Sequence, residues 1–142
     1  MQRIVIVTHF RGEAAEPSGT PPSTDPRASS VSLEAVLADG SPAGIDRASY
    51  ENHAVFTSES TFAETGTIRY GDGDAELEIA TLSDGTLAPC AEPDVLHGAA
   101  VYSINAGRGR FEGASGLITT NFLLWPVKGE FEERQVAVVF VP

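Results

Sequence analysis

The chain has 142 residues, of which 42% are hydrophobic and 20% charged. These values favour a single domain over residues 1–142 and exclude a disordered polymer. No apolar run approaches the ~20 residues that a transmembrane helix needs, and the apolar run at the N-terminus is too short for a secretory signal. We therefore expect a cytoplasmic protein. The formal net charge of −11 argues against nucleic acid or an anionic membrane as partner, because both attract Lys and Arg.

The cysteine and histidine residues form no recognisable metal or cofactor motif. Cys90 is the only cysteine, so no internal disulfide can form. The histidines His9, His53 and His97 lie far apart, with neither HxH nor HExxH spacing. The sequence thus predicts no metal site and no cofactor.

The apolar residues recur mostly with a period of two, which is typical of β-strands. After the first strand, residues 11–27 form a Pro-rich loop that is either flexible or a lid, and its composition favours a flexible loop. Segment 29–38 fits a strand or a helical face, and the missing capping box favours the strand. Asp72-Gly73 predicts a tight hairpin turn. The predicted strands cover residues 4–10, 29–38, 48–60, 66–71, 75–82, 96–105, 117–125 and 136–141.

The charged run before the last strand is interpreted as the solvated end of a hairpin. It contains Glu130, Glu132, Glu133 and Arg134. With seven or eight strands, no convincing long helix and no internal repeat, the chain has the pattern of an antiparallel sandwich or a closed barrel.

The segment from Gly107 to Gly116 reads GRGRFEGASG. It resembles the GxGxFxGAxG segment of the allene oxide cyclase-like and dirigent-like β-barrels, and the LITTNF that follows fits the strand expected there. Glycines permit the tight backbone of a barrel corner, and Phe111 could plug one end of the barrel. A phosphate cradle is disfavoured, because the glycines miss the GxGxxG spacing and a strand follows instead of a helix.

The resemblance implies an all-β fold, an antiparallel closed β-barrel of about eight strands, which is wide enough to hold one small ligand. It also implies a cofactor-independent cyclase or isomerase that steers ring closure of a hydrophobic, polyketide- or lipid-like substrate in the barrel cavity. Its effect on the rate would come from orientation of the substrate. One alternative is a non-catalytic carrier of a small apolar ligand, and another is a dirigent-like guide for radicals made elsewhere. Strands that are apolar on both faces suggest a homodimer.

The strand over 117–125 carries the first candidate residues. Asn121 and Trp125 share one face and Phe122 lies on the other, and both faces are mostly apolar. If the first face lines the cavity, Asn121 could bond a carbonyl and Trp125 could form an apolar wall; otherwise both are ordinary core residues.

The remaining candidates carry hydroxyl, imidazole or aromatic groups. His53 could act as a general base near neutral pH, oriented by Glu51 or Glu59, although a lone histidine on such a strand is more often a structural residue whose hydrogen bonds are made within the protein. Tyr102 could polarise a carbonyl or simply pack in the core. The predicted catalytic residues are Asn121, Tyr102 and His53, and the predicted substrate-binding residues are Trp125, Tyr50, Phe122, Phe56 and His9.

Overall fold

The computed structural model describes all 142 residues. They form ten β-strands and no helix. The structure therefore contains no helix that could span a membrane. Alternating buried and exposed residues run along most of these strands, as expected where one face of a sheet is buried. The strands are β1 (Gln2–Glu13), β2 (Ser23–Thr24), β3 (Arg27–Leu37), β4 (Ala48–Phe56), β5 (Thr61–Tyr70), β6 (Ala75–Thr81), β7 (Gly85–Pro89), β8 (Leu96–Gly109), β9 (Ser115–Trp125) and β10 (Glu130–Val141).

Eight of the strands close into an antiparallel ring. The order around the ring is β4-β3-β1-β10-β9-β8-β6-β5, and pairing of β5 with β4 closes it. The two short strands extend this ring: β2 pairs with β4, and β7 fills the space between β5 and β8 beyond the end of β6. The expected closed antiparallel barrel of about eight strands is confirmed.

The strand boundaries correct the sequence-based expectations in several places. Strand β4 ends at Phe56 and not at residue 60, and β5 begins at Thr61 and not at residue 66. Strand β7 lies at residues 85–89, where no strand is predicted. Strand β10 begins at Glu130, so the charged run is not the solvated end of a hairpin. Its residues alternate between the two faces of the barrel wall, and Glu133 points inward with only 4% of its surface exposed.

One half of the barrel interior is filled by the protein's own side chains. Phe111, on the turn between β8 and β9, is fully buried and meets Tyr70 edge to face, with ring centroids 5.6 Å apart. The turn brings the backbone of Gly109 against Asp74, where a Cβ would overlap the Asp74 carbonyl oxygen, and its φ of +62° also favours glycine. Phe111 therefore plugs this end of the barrel. The largest aliphatic residues packed here are Ile4, Ile6, Ile68, Leu77, Ile118 and Val139.

The Pro-rich loop is anchored to the open edge of β4. The backbone N–H of Phe56 donates to the Pro22 carbonyl at 2.9 Å, and that of Asn52 donates to the Pro26 carbonyl at 3.0 Å. The Thr24 hydroxyl donates to the Ala15 carbonyl at 2.7 Å. These bonds hold the segment in place along β4, contrary to the flexible loop that its composition favours.

The plug is expected to be a major source of stability. Replacing Phe111 with alanine should lower the free energy of unfolding by about 3–5 kcal/mol, because it leaves a cavity between Tyr70 and the barrel wall. The exposed neighbour Glu112 is the control, and Glu112→Ala should change stability by no more than about 0.5 kcal/mol. Urea unfolding measures both, and equal effects of the two substitutions would contradict the role of Phe111.

Candidate functional site

A partly open pocket occupies the end of the barrel opposite the plug. It contains about 520 Å³ of space free of protein atoms, including the space at its mouth, and 10 of its 14 lining residues are hydrophobic. Phenylalanines form much of its wall, and the Pro-rich loop contributes Ala14, Thr24 and Pro26. The other lining residues are Tyr50, Ala54, Phe56, Phe62, Glu64, Leu87, Tyr102, Phe122, Leu124, Phe131 and Glu133.

The aromatic wall is continuous across neighbouring strands. The ring of Phe62 lies 6.4 Å from that of Phe56 and 6.0 Å from that of Phe122, the latter edge to face. On the other side of the pocket, Phe131 stacks on Tyr50 with centroids 6.4 Å apart. Such surfaces bind flat apolar molecules through packing and ring contacts.

Glu133 lies at the inner end of this pocket and is surrounded by donors. The Tyr50 hydroxyl donates to its Oε1 at 2.5 Å, the Thr120 hydroxyl donates to its Oε2, and the Gln135 amide donates to the same Oε2 at 3.3 Å. Burial raises the pKa of Glu133, and these donors oppose that rise, Thr120 first. Three donors stabilise the charged form of a carboxylate.

Glu64, on β5, is the second buried carboxyl and has fewer donors. The Asn52 amide donates to its Oε2 at 2.5 Å, and the Tyr102 hydroxyl donates to its Oε1 at 3.2 Å. Burial raises the pKa of Glu64 to about 7; the Asn52 hydrogen bond opposes this rise, and the charge of Glu133 adds to it. Glu64 is therefore the carboxyl that carries a proton near neutral pH, since Glu133 has more donors for its negative charge.

The two tyrosine hydroxyls keep their protons throughout the physiological pH range. Burial, followed by the negative charge of the carboxyls, raises the pKa of Tyr50 and of Tyr102 well above the ordinary value. The inner end of the pocket thus places two buried carboxyls, one of them with a pKa of about 7, beside an apolar wall, and the two tyrosine hydroxyls donate to these carboxyls. Such a group can transfer a proton to a bound molecule or orient one of its oxygen atoms.

Four of the predicted site residues come together in this pocket. Tyr50, Tyr102, Phe56 and Phe122 all line it. Tyr102 therefore lies where a hydroxyl could reach a bound oxygen, as the catalytic prediction requires, and the other three lie where a substrate would contact them. Their roles in catalysis and binding stay predictions.

The other four lie outside the pocket. Asn121 is on the outer surface, where its Oδ1 lies 2.7 Å from His97 Nε2, so the inward face of β9 is the one that carries Phe122. His53 is also exposed, with Nδ1 2.7 Å from Asp25. His9 and Trp125 are half-buried and do not line the pocket.

His9 faces Glu132 outside the barrel, with Nε2 3.6 Å from its carboxylate. Burial lowers the pKa of His9, as does the nearby charge of Arg134, while Glu132 opposes the change. These positions correct the expectation that Asn121, His53, Trp125 and His9 contact a ligand in the barrel.

Sequence reasoning missed the two carboxyls, Glu64 and Glu133. The alternation of residues in β5 could have revealed Glu64, because every second residue of a strand points to the same face. Glu64 lies two residues after Phe62 and four before Ile68, so it points inward as they do. No group of three or more His, Cys, Asp or Glu side chains in the structure is arranged to hold a metal ion.

Comparison with known proteins supports the fold. A solved structure described as the pterocarpan synthase dirigent protein GePTS1 matches with a TM-score of 0.56 and 15% sequence identity, over 96% of this chain and 88% of that chain. No protein-family model matches the sequence, and neither does any curated protein. At this identity the likeness shows a shared dirigent-type barrel fold, whereas the specific resemblance to allene oxide cyclases stays a prediction.

Because Glu64 holds its proton to an unusually high pH, we expect an unusual dependence of stability on pH. The folded protein holds the proton of Glu64 up to about pH 7, whereas an ordinary glutamate loses it near 4.5. Stability should therefore fall as the pH rises from 4.5 to 7, because the folded state binds more protons than the unfolded state in that window. For Glu64 alone the loss is on the order of 3 kcal/mol.

Replacing Glu64 with glutamine should abolish that loss and make the protein more stable than the wild type at pH 8. Glutamine can still accept the Asn52 hydrogen bond but never becomes charged. Urea unfolding of both proteins at pH 5 and pH 8 measures the difference. If the free energy of unfolding changes equally with pH in the two proteins, Glu64 is ionised as an ordinary carboxyl.

Proposed function

We propose that the protein is a cofactor-independent cyclase or isomerase that binds a small, mostly apolar molecule in the open end of the barrel. The observation that supports this most is the proton-bearing carboxyl of Glu64 beside an aromatic pocket. A carboxyl with a pKa near the working pH is suited to general acid catalysis. An apolar wall around it also excludes water from the reacting groups.

The first contribution to catalysis is orientation. Phe56, Phe62 and Phe122 would hold the apolar part of a flexible substrate against the wall, with an oxygen directed toward the inner end. Bringing two ends of one molecule together in this way removes part of the entropic barrier to ring closure. The hydroxyls of Tyr50 and Tyr102, which donate to Glu133 and Glu64, would hold these carboxyls in place beside the bound oxygen.

The second contribution is a proton. The carboxylic acid of Glu64 donates its proton to a carbonyl oxygen of the substrate. The π bond of that carbonyl breaks as a nucleophilic atom at the other end of the molecule bonds to its carbon, and the negative charge left on Glu64 is delocalised over its two oxygens. The resulting carboxylate then takes a proton from the closed product, which restores the acid. No oxidant, reductant or metal is consumed, so the step is balanced as an isomerisation.

A polyketide- or lipid-like molecule suits the pocket chemically. Ten of the 14 lining residues are hydrophobic, and ligand pockets are lined predominantly by such residues. The polar groups converge only at the inner end. The expected substrate therefore has an apolar body and one or two oxygens close together.

Conversion of candidate substrates tests this proposal. Linear polyketide and phenolic precursors would be incubated with the protein, and cyclic products followed by liquid chromatography and mass spectrometry. Glu64→Gln should slow conversion about 100-fold or more, because general acid catalysis contributes at least that much. In the wild type the rate should fall as the pH rises through about 7, where Glu64 loses its proton.

The control is Glu34→Gln, an identical change at an exposed residue of β3, which should leave the rate unchanged. Equal rates in the two variants would contradict a role for Glu64. If precursors bind and are recovered unchanged, the protein is a carrier, and the carboxyls and hydroxyls serve only to anchor the ligand.

We further propose a homodimer formed through the outer face of the barrel. Val7 and Val136 are exposed cross-strand partners there, and Leu117 on β9 is also exposed. Sedimentation should give twice the chain mass, and Val136→Lys should return it to the mass of one chain. A monomeric wild type would contradict this. The cytoplasmic location stays a prediction.

A further inference from the structure

Three of the phenylalanines that line the pocket lie directly opposite a glycine on the neighbouring strand. Phe131 of β10 pairs with Gly12 of β1, Phe62 of β5 pairs with Gly85 of β7, and Phe122 of β9 pairs with Gly98 of β8. In each pair, a Cβ placed on the glycine would come closer to the ring than real Cβ atoms approach. Each ring therefore lies over bare backbone.

The two pairs on β7 and β8 form one continuous part of the wall. Three inward positions, Gly85, Gly98 and Ala100, carry little or no side chain and are buried. The inward Leu87 of β7, which pairs with Gly98, also lines the pocket. The rings of Phe62 and Phe122 meet edge to face at 6.0 Å beside these positions.

Glycine weakens the interior of a strand, since it costs backbone entropy and provides nothing to pack. Close approach of another group is the usual reason for glycine at such a position. At Gly12, Gly85 and Gly98 the backbone φ is not in the left-handed region, so strand geometry does not demand glycine. At Gly85 and Gly98 the phenylalanine ring is the group that a Cβ would overlap, whereas at Gly12 a Cβ would overlap the Arg27 carbonyl oxygen as well as the ring.

We propose that Gly98 and Gly85 are specificity-determining positions that set the width of the pocket. This inference rests on the proposed function, because it concerns the size of the molecule that the same pocket accepts. A methyl group at Gly98 would displace the Phe122 ring from the wall into the pocket. The pocket would then exclude ligands of two or more rings and still accept a single ring.

Binding of two neutral probes tests the inference. N-phenyl-1-naphthylamine represents the large ligand, followed by its fluorescence, and phenol the small one, followed by calorimetry. Gly98→Ala should weaken binding of the large probe about tenfold or more, the usual effect of one carbon in an apolar pocket, and change that of phenol less than about twofold. Ala99→Val, which adds bulk to the exposed face of the same strand, is the matched control and should change neither.

A compensating substitution separates pocket width from general damage to the strand. Leucine at position 122 has no ring to displace, so Gly98→Ala should change binding of the large probe less than about twofold when it is added to Phe122→Leu. Gly85→Ala added to Phe62→Leu repeats the test at the second pair if the first variant does not fold. A tenfold loss of binding on adding the alanine in both leucine backgrounds would overturn the inference.

A crystal structure of Gly98→Ala tests the same point without a ligand. The Phe122 ring should be displaced toward the pocket, whereas a ring still against the wall with unchanged pocket volume would overturn the inference. A wild type that binds neither probe, together with a displaced ring in the variant, would contradict the proposed function and leave the role of Gly98 in pocket width standing.

Discussion

Two carboxyl groups buried in one small barrel are the constraint on which the rest of the structure depends. Removing an ionised carboxylate from water costs several kcal/mol unless hydrogen bonds replace the lost solvation. The donors come from four strands: Tyr50 and Asn52 on β4, Tyr102 on β8, Thr120 on β9 and Gln135 on β10. These groups form a polar layer across the middle of the barrel, which separates a packed half from an open half.

The polar layer and the aromatic wall depend on each other. The apolar surroundings raise the pKa of Glu64 to about 7, so they reduce stability at high pH and at the same time keep a proton available. Glycine on the adjacent strands gives the phenylalanine rings room beside the backbone, and these rings and Glu64 line the same pocket. Features that cost stability and leave a reactive group accessible are typical of functional sites.

Local patterns predict the strands well and the site only in part. The hairpin of β5 and β6 follows from alternation around Asp72-Gly73, and β3 from its period of two. The inward face of β9 could not be deduced, because residues such as Leu117 make its outer face apolar as well. Glu133 lies in a charged run that is typical of a solvated turn. Only the alternation of inward and outward residues along β10 indicates that it points inward. Its proximity to Glu64 depends on the pairing of distant strands, which no local pattern encodes.

The central claim is that a carboxyl inside the barrel keeps its proton near neutral pH, and carbon-13 NMR of the glutamate side chains tests it directly. The carboxyl carbon of Glu64 should titrate with an apparent pKa near 7, and its signal should be absent from Glu64→Gln. If the Glu64 carboxyl titrates instead near the ordinary glutamate value of 4.5, the buried acid does not exist as described.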